Sequence, residues 1–235
     1  MALLAGGRRP VFFTVQCRGY FDAAAFSETR WLTMPQRHEH PVLRVATYNI
    51  HKGVQGLGPA RRLEIHNLGH AVEQLDADIV CLQEVRATTD QLHEVLATAG
   101  LSDLHVAHDS SARLGHAGVA ILSTKKLSKI KTGVGPKEFA DTGRWVQAEI
   151  DTKKGPMTVA SVYVHSGDAE KPVQQEKYRF LEAMTKKFQA AQKADELFLA
   201  CGDFNVGHCE LDIKNWKGNL TKAGFLPEER ADSST

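Results

Sequence analysis

The sequence of 235 residues lacks the features that would assign it to a class of protein at once. No apolar run reaches the ~18–20 residues of a membrane-spanning helix, and there are no internal repeats and no low-complexity tract. The formal net charge is +1, so nucleic-acid binding has no global basic signature and would have to come from local clusters. With 42% hydrophobic and 24% charged residues, the composition is that of an ordinary globular protein with no membrane partner.

Cysteine is also scarce. The four cysteines form no CxxC pair, and two of them, Cys81 and Cys201, lie in apolar runs that predict buried strands. This pattern argues against a disulfide framework and favours a reducing compartment, which predicts a cytoplasmic location. The stretch up to Tyr20 holds arginines and no acidic residue, so it weakly resembles a transit peptide and leaves a mitochondrial location as the alternative.

The chain divides at about residue 40. Residues 1–40 show no sustained periodicity and predict a disordered extension, whereas residues 41–235 predict one domain that is long enough to bury a core. Helices alternate with strands early and hairpins dominate the middle, so we expect an α/β fold of two mixed sheets packed face to face with helices outside. Helices are predicted at residues 59–75, 89–99, 173–191 and 220–223, and strands at 43–48, 79–82, 104–107, 119–123, 128–132, 145–150, 158–164 and 197–201.

Three of the predicted buried strands end in polar side chains, namely Asn49, Glu84, and the pair Asp203 and Asn205. Strands that bury both faces and then deliver a carboxylate or an amide can bring these groups to one rim of a sheet. Oxygen ligands of this kind suit a hard cation such as Mg²⁺, which takes few protein ligands and keeps several waters. Read alone, Glu84 would be a surface glutamate, and Asp203 and Asn205 would form an Asx turn.

We interpret Glu84 as a metal ligand and Asn49 as a group that ligates or holds the metal site. Asp203 and Asn205 have i, i+2 spacing, so on an extended segment both side chains point the same way. Asp203 would then orient or deprotonate an attacking water, and Asn205 would hydrogen-bond a phosphate oxygen. This division of roles suits the in-line hydrolysis of a phosphodiester.

The three motif segments resemble the endonuclease/exonuclease/phosphatase superfamily. They are Thr47-Tyr48-Asn49-Ile50, Leu82-Gln83-Glu84-Val85 and Gly202-Asp203-Phe204-Asn205. From about residue 115 onward the chain is more specifically similar to the exodeoxyribonuclease III family of abasic-site repair nucleases, through residues 115–123, 143–145, 162–163, 212–219 and 224–230. The segment 43–86 looks more like generic members of the superfamily.

The resemblance implies an α/β sandwich whose second sheet is incomplete in this chain. The superfamily's last strands carry an Asp-His pair, and the sequence holds no Ser-Asp-His motif after residue 230. The resemblance also implies Mg²⁺, with Mn²⁺ as an alternative, and double-stranded DNA with abasic sites or 3′ ends as the partner. Because the groups of one catalytic constellation act as a unit, we expect reduced activity in this form.

Further side chains are candidates for contact with the substrate. Tyr163 ends a predicted strand and its hydroxyl would reach the scissile phosphate, with core packing as the alternative. Arg144 would contact DNA phosphate or play a structural role, and Lys177 would lie near the site or on a solvated helix face. One predicted loop contains cations, an amide and an aromatic ring, a composition that suits contact with phosphate together with stacking at a lesion. Its residues are Lys214, Asn215, Trp216 and Lys217.

Three functions are compatible with these patterns. The first is a Mg²⁺-dependent DNA repair nuclease that cuts 5′ of abasic sites and removes nucleotides from 3′ ends. The second is a generic superfamily phosphodiesterase or phosphatase acting on a small or lipid phosphate, which the segment 43–86 favours. The third is a catalytically inactive module that binds DNA or a partner, which the missing Asp-His pair favours.

Replacing both Lys214 and Lys217 by alanine should weaken duplex binding about uniformly across sequences, because lysines at phosphates position a protein without reading bases. The slope of log K against log salt should fall by about one to two units, since each phosphate contact contributes about −0.9 on B-DNA. Fluorescence anisotropy over a salt series measures this slope. The matched control replaces Lys153 and Lys154, in a predicted hairpin turn, by alanine. An unchanged slope in the first variant would remove the local argument for DNA as substrate.

Overall fold

The computed structural model describes residues 2–5, 11–13, 43–50, 68, 72, 75–113 and 116–231. The strands are β1 (Ala2–Ala5), β2 (Val11–Phe13), β3 (Val45–Asn49), β4 (Ile79–Gln83), β5 (His105–Asp109), β6 (Val119–Ser123), β7 (Ser128–Thr132), β8 (Trp145–Thr152), β9 (Gly155–Tyr163) and β10 (Leu197–Asp203). The helices are α1 (Thr89–Thr98), α2 (Val173–Lys193), α3 (Trp216–Asn219) and α4 (Pro227–Ala231), with 3₁₀ turns at Lys137–Phe139 and Glu210–Asp212.

The strands form two mixed sheets, as predicted. A four-stranded sheet has the order β3-β4-β6-β5, and a six-stranded sheet has the order β2-β1-β10-β9-β8-β7. Each sheet contains one parallel pair, β3 with β4 and β9 with β10, and its other neighbours are antiparallel. The two parallel pairs matter for function because their carboxyl ends lie at one edge of each sheet.

Alternation of side chains along the strands builds four layers. One face of each sheet packs on the other sheet, through residues such as Ile79 and Ile121 on one side and Val159 and Leu199 on the other. The outer face of the six-stranded sheet packs against α2, and the outer face of the four-stranded sheet packs against α1 and against helical residues further upstream. The result is the α/β sandwich predicted from the sequence. None of the helices in the described ranges combines the length and apolar composition needed to cross a bilayer.

The predicted helices agree with the structure except at one place. The helices predicted at residues 89–99 and 173–191 are observed with their ends shifted by one or two residues. The helix predicted at 220–223 is wrong, because that stretch forms turns, with Phe225 N–H donating to the Lys222 carbonyl and Gly224 at φ 91°. The structure describes only three positions of the helix predicted at 59–75, namely Leu68, Val72 and Leu75, and these are helical.

Two short strands come from the N-terminal extension. β1 pairs antiparallel with β10, with Ala2 opposite Cys201 and Ala5 opposite Phe198, and β2 pairs with β1. The edge of β10 offers backbone donors and acceptors to an extended segment, and β1 occupies it. The disorder predicted for residues 1–40 stays a prediction. The remaining residues up to 42, and the domain boundary predicted near residue 40, lie outside the described residues.

Polar side chains join the two sheets directly behind the carboxyl ends of the parallel pairs. The Ser161 hydroxyl on β9 donates to the Leu82 carbonyl on β4 at 2.9 Å and accepts from Gln83 Nε2 at 3.2 Å. Thr47 Oγ1 on β3 donates to Gln83 Oε1 at 3.2 Å. The bond from Thr47 stays within the four-stranded sheet and holds the Gln83 side chain. Ser161 and Gln83 are buried, so the two bonds of Ser161 are made in the absence of competing water and fix one sheet against the other.

Ser161→Ala should lower the free energy of unfolding by about 1–3 kcal/mol, because it leaves the buried partners of the hydroxyl without their hydrogen bonds. Urea unfolding followed by circular dichroism measures this loss. The matched control is Ser128→Ala on the exposed strand β7, where the Ser128 hydroxyl bonds the Glu149 carbonyl at 3.2 Å. The control should stay within about 0.5 kcal/mol of the wild type. Equal effects of the two substitutions would contradict the special role of the bridge between the sheets.

Candidate active site

The candidate site lies where the two parallel strand pairs end. Asn49 and Gln83 are opposite each other at the end of the β3–β4 pair, and Tyr163 and Asp203 are opposite each other at the end of the β9–β10 pair. Parallel strands deliver the residues at their carboxyl ends to one edge, and β10 contacts both β3 and β4 across the interface between the sheets. Four polar strand ends therefore meet at one rim.

A single amide joins the two carboxylates of this rim. Asn49 Nδ2 donates to Glu84 Oε1 at 3.2 Å and to Asp203 Oδ2 at 3.0 Å. Arg86 donates to the other oxygen of Glu84, Oε2, at 2.9 Å. The structure thus brings together three of the four side chains that the sequence predicts at one site. These two hydrogen bonds use the side-chain nitrogen of Asn49 to bridge the carboxylates, and direct metal ligation by Asn49 stays a prediction.

The segment after Asp203 is not extended, so the predicted parallel orientation of Asp203 and Asn205 is wrong. β10 ends at Asp203, and Asn205 has a φ of 47°, in the left-handed region that asparagine tolerates better than most residues. Asn205 N–H donates to Asp203 Oδ1 at 3.0 Å, which makes an Asx turn. The Asn205 side chain points to the Val164 carbonyl, with Nδ2 donating at 2.7 Å. Its predicted contact with a phosphate oxygen stays a prediction.

Glu84 also has a left-handed backbone, with a φ of 56°. For a residue of this size the conformation costs on the order of 1 kcal/mol or more and persists only where the surroundings fix it. The next residue supplies that constraint, because Val85 N–H donates to the Gly118 carbonyl at 2.9 Å. The strained backbone turns the Glu84 side chain to the rim, where its carboxylate lies buried beside Asn49.

Two glycines allow the close backbone approaches beneath the rim. A Cβ on Gly118, which has a φ of 109°, would lie 1.8 Å from the Val85 carbonyl oxygen. A Cβ on Gly202 would lie 1.9 Å from the Val162 carbonyl oxygen on the neighbouring strand. Real Cβ atoms do not come this close to an oxygen, so both positions require glycine for the rim to form.

Tyr163 combines core packing with exposure to the site. Its ring packs against the core between the sheets. Burial raises the pKa of its hydroxyl to about 12, and the Glu84 and Asp203 carboxylates act in the same direction, while the guanidinium groups of Arg86 and Arg144 act in the opposite direction. Both interpretations of Tyr163 are therefore compatible with the structure, and its hydroxyl is a protonated donor at neutral pH.

Arg144 is anchored beside Tyr163. Its guanidinium forms an ion pair with Glu176 of α2, with 2.7 Å between NH1 and Oε1, and its carbonyl accepts from Tyr163 N–H at 2.9 Å. The Arg144 side chain is only 19% exposed. A held arginine of this kind presents a pre-positioned charge, so the structural contact with Glu176 and the predicted phosphate contact do not exclude each other.

Lys177 lies near the site, as the first of its two interpretations predicts. Its side chain is completely buried, so it lies neither on a solvated helix face nor in contact with an external substrate. Its ammonium donates to Glu229 Oε1 at 2.6 Å, to the Asn205 carbonyl at 2.9 Å and to the Ser166 carbonyl at 3.2 Å. An ammonium group has three donors, so all of them are used within the protein.

The basic segment that the sequence predicts to grip DNA follows β10 in the chain, and its residues Trp216 and Lys217 begin α3. Its base is closed by Gly207 N–H, which donates to the Gly224 carbonyl at 2.7 Å. Trp216 is half-buried, and Lys217 Nζ lies 5.4 Å from the centre of its ring. Three side chains of the segment are exposed, as a phosphate contact requires: Lys214, Asn215 and Lys217.

Sequence reasoning missed several charged groups that support this region. Arg86 follows Glu84 by two residues, so a search for counter-charges near the motif would have found it. Glu176, Glu229 and Asp109 come from distant segments and have no local signal. Asp109 is buried beneath the start of β8, where its Oδ2 accepts from the backbone N–H of Trp145 at 3.4 Å.

The family of the chain follows from comparison with known proteins. A model described as the Endonuclease/Exonuclease/phosphatase family matches residues 46–232. The chain belongs to this family. The match includes every motif segment on which the resemblance was based, so that resemblance is confirmed.

Among curated members of the family, several relatives are repair nucleases. The chain is 29% identical to "Exodeoxyribonuclease" of Bacillus subtilis over 161 residues, which are 68% of this chain and 59% of that protein. It is 35% identical to "Recombination repair protein 1" of Drosophila melanogaster over 159 residues, which are 66% of this chain and 22% of that protein. The chain thus spans only part of the length of these relatives.

Solved structures of the family share the fold. An AP endonuclease from Archaeoglobus fulgidus superposes with a TM-score of 0.65 at 19% identity, covering 81% of this chain and 68% of that one. A variant of the 3′ phosphatase NExo from Neisseria, solved with a product DNA hairpin, gives a TM-score of 0.68 at 18% identity and covers 82% and 69%. At these identities the likeness establishes the α/β sandwich of the family and nothing finer.

Asp109 should make stability depend on pH. Burial raises its pKa from 3.8 to about 6, so the folded state holds the proton more tightly than the unfolded state. The stabilising contribution of this proton is complete below the unfolded pKa and is lost as the pH rises through the folded pKa. Asp109→Asn does not titrate, so its stability relative to the wild type should rise by on the order of 2 kcal/mol between about pH 4 and about pH 7.

Urea unfolding across this pH range measures the effect. Asp151→Asn, on the exposed end of β8, is the matched control and should leave the pH dependence unchanged. If the free energy of unfolding changes with pH in the same way for Asp109→Asn and for the wild type, Asp109 has the same pKa in the folded and the unfolded state.

Proposed function

We propose that this site hydrolyses DNA phosphodiesters at abasic sites and at 3′ ends, with Mg²⁺ as its cofactor. One observation carries the proposal, which is the meeting of Glu84 and Asp203 on the Asn49 amide. Two carboxylates from different sheets, with a protonated tyrosine and two arginines beside them, supply ligands for a hard cation and counter-charges for a phosphate. The repair nucleases among the relatives support DNA as the substrate.

The residues of the rim fit a magnesium ion. Mg²⁺ is commonly bound through one or two carboxylates with waters completing its shell, and the carboxylate of Glu84, beside Asn49 at the rim, would hold it. Within the described ranges no group of three or more histidine, cysteine, aspartate or glutamate side chains is placed to hold a metal ion, so a cation at the rim would take few protein ligands and keep several waters. Mn²⁺ has similar preferences and is the alternative. When bound, the cation would stabilise charge on the phosphate and make water more acidic.

The other side chains of the rim have separate roles in the proposed reaction. Asp203 is placed to accept a proton from an attacking water, because the Asx turn and Asn49 hold its two oxygens at fixed positions. Tyr163, which keeps its proton at neutral pH, donates a hydrogen bond to a phosphate oxygen. Arg144, held by Glu176, neutralises phosphate charge on the same side.

The alternatives remain distinguishable. A generic phosphodiesterase acting on a small phosphate would use the same rim, but the exposed cations beside Trp216 favour an extended polymer as the substrate. An inactive module would bind DNA without turnover. Incubation of the protein with an abasic duplex and with a small phosphodiester, each with Mg²⁺, separates the three. Cleavage of the duplex alone supports the proposal, cleavage of the small ester alone supports the generic enzyme, and binding without cleavage supports the module.

The proposed location is the cytoplasm. Cys81 and Cys201 are buried free thiols in the core between the two sheets, and Cys209 is an exposed free thiol. Unpaired thiols in a folded core support a reducing compartment.

Glu84→Gln should abolish measurable Mg²⁺ binding and leave the fold intact. The substitution removes the negative charge that the cation needs, while the amide oxygen can still accept the hydrogen bond from Asn49. Isothermal titration calorimetry measures the affinity, and circular dichroism reports the fold. Glu94→Gln, on the exposed side of α1, is the control and should bind Mg²⁺ like the wild type. Unchanged affinity in Glu84→Gln would exclude Glu84 as a ligand.

A further inference from the structure

We propose that the buried ion pair between Lys177 and Glu229 positions the turn of Asn205, and through it the carboxylate of Asp203. Lys177 and Glu229 contact no reacting atom in this scheme, so they are positioning residues. The inference rests on the proposed function for its catalytic consequence, but its structural part is independent of any activity.

The ion pair is sealed from water. Both side chains are completely buried, and 2.6 Å separate Lys177 Nζ from Glu229 Oε1. Burying two charges costs desolvation that their mutual attraction offsets only when the surrounding hydrogen bonds are well formed. A buried ion pair is therefore weak evidence for a contribution to stability. The groups that this pair contacts indicate a further role for it.

Lys177 ties together the two loops that leave the catalytic strands. The Ser166 carbonyl belongs to the segment that follows β9, and the Asn205 carbonyl belongs to the segment that follows β10. These strands end in Tyr163 and Asp203. One ammonium on α2 thus fixes the backbone just beyond both catalytic strand ends.

Glu229 connects a third segment to the ion pair. Its Oε2 accepts from the backbone N–H of Gly224 at 2.6 Å and of Leu226 at 3.0 Å, and its Oε1 also accepts from Gln174 Nε2 at 2.9 Å. Gly224 packs so closely on the Asn205 turn that a Cβ at Gly224 would lie 3.0 Å from the Asn205 carbonyl oxygen. The segment 224–229 therefore packs on the turn and joins it to α2 through Glu229.

The turn needs this support because its backbone is left-handed at Asn205. The Asn205 N–H fixes Asp203 Oδ1, so a shift of the turn would displace the carboxylate that faces Asn49. Displacement of a reacting group by about 1 Å can cost about 10²-fold in rate. The ion pair should accordingly affect the rate of the chemical step more than the binding of DNA.

Lys177→Met is the decisive variant, because it keeps the length of the side chain and removes the three donors. Hydrogen exchange followed by mass spectrometry, on the full chain without metal or DNA, should show exchange in residues 203–207 faster by about tenfold or more. Exchange in α1 and β6 should stay unchanged. With an abasic duplex and Mg²⁺, kcat should fall by about 10²-fold while KM stays within about threefold.

Lys186→Met is the matched control. Lys186 lies on the same helix and pairs with Glu182, but both side chains are exposed. This variant should match the wild type in exchange and in kcat. If Lys177→Met does not fold, the double variant Lys177→Met with Glu229→Gln replaces it. That double variant leaves no buried charge and keeps an oxygen for Gly224 and Leu226, and the same local increase in exchange is expected.

The outcomes separate the two proposals. Unchanged exchange at residues 203–207 overturns the positioning role. Exchange that rises evenly over the whole chain, with kcat per folded molecule unchanged, also overturns it, because the pair would then serve global stability only. A wild type that cleaves no substrate overturns the proposed function, and the exchange data then decide the positioning role by themselves.

Discussion

Two like-charged carboxylates from different sheets share one amide nitrogen, and the rest of the site depends on this contact. Glu84 and Asp203 would repel each other if nothing stood between them. Asn49 donates to both, and Arg86 balances the outer oxygen of Glu84. This arrangement holds only if the sheets keep a fixed offset at the rim. The buried hydroxyl of Ser161, which bonds across the interface just behind the site, provides that constraint.

The layout of the site could be predicted from the sequence because it follows from strand ends. Apolar runs that stop at a carboxylate or an amide identify where buried strands finish, and two parallel pairs bring these ends together. The Asx turn of Asp203 and Asn205 was only the alternative interpretation of the sequence, because the left-handed backbone of Asn205 depends on contacts from segments far along the chain. The complete burial of Lys177 could not be predicted for the same reason. Its partner Glu229 lies 52 residues away, and helical periodicity alone does not distinguish a buried lysine from a solvated one.

The fold could be predicted from the sequence to about the same extent as the site. Periodicity located the strands of the hairpins and the two long helices because each of these elements buries a regular face. It failed near residues 220–223, where a short polar segment forms successive turns that are stabilised by its neighbours. The pairing of Ala2–Ala5 with the edge of β10 was also unpredictable, because a short apolar strand has little signal until a partner edge is known. The family model, which matches residues 46–232, covers the sandwich and leaves this edge pairing aside.

Gly118 and Gly202 carry a consequence for the evolution of this rim. Every replacement of a glycine by another amino acid introduces a Cβ, and at both positions a Cβ would collide with a backbone carbonyl less than 2 Å away. No single substitution at either position is mild, because any side chain there requires two neighbouring strands or turns to move apart. The backbone beneath Glu84 and Asp203 is therefore closed to gradual change by single substitutions.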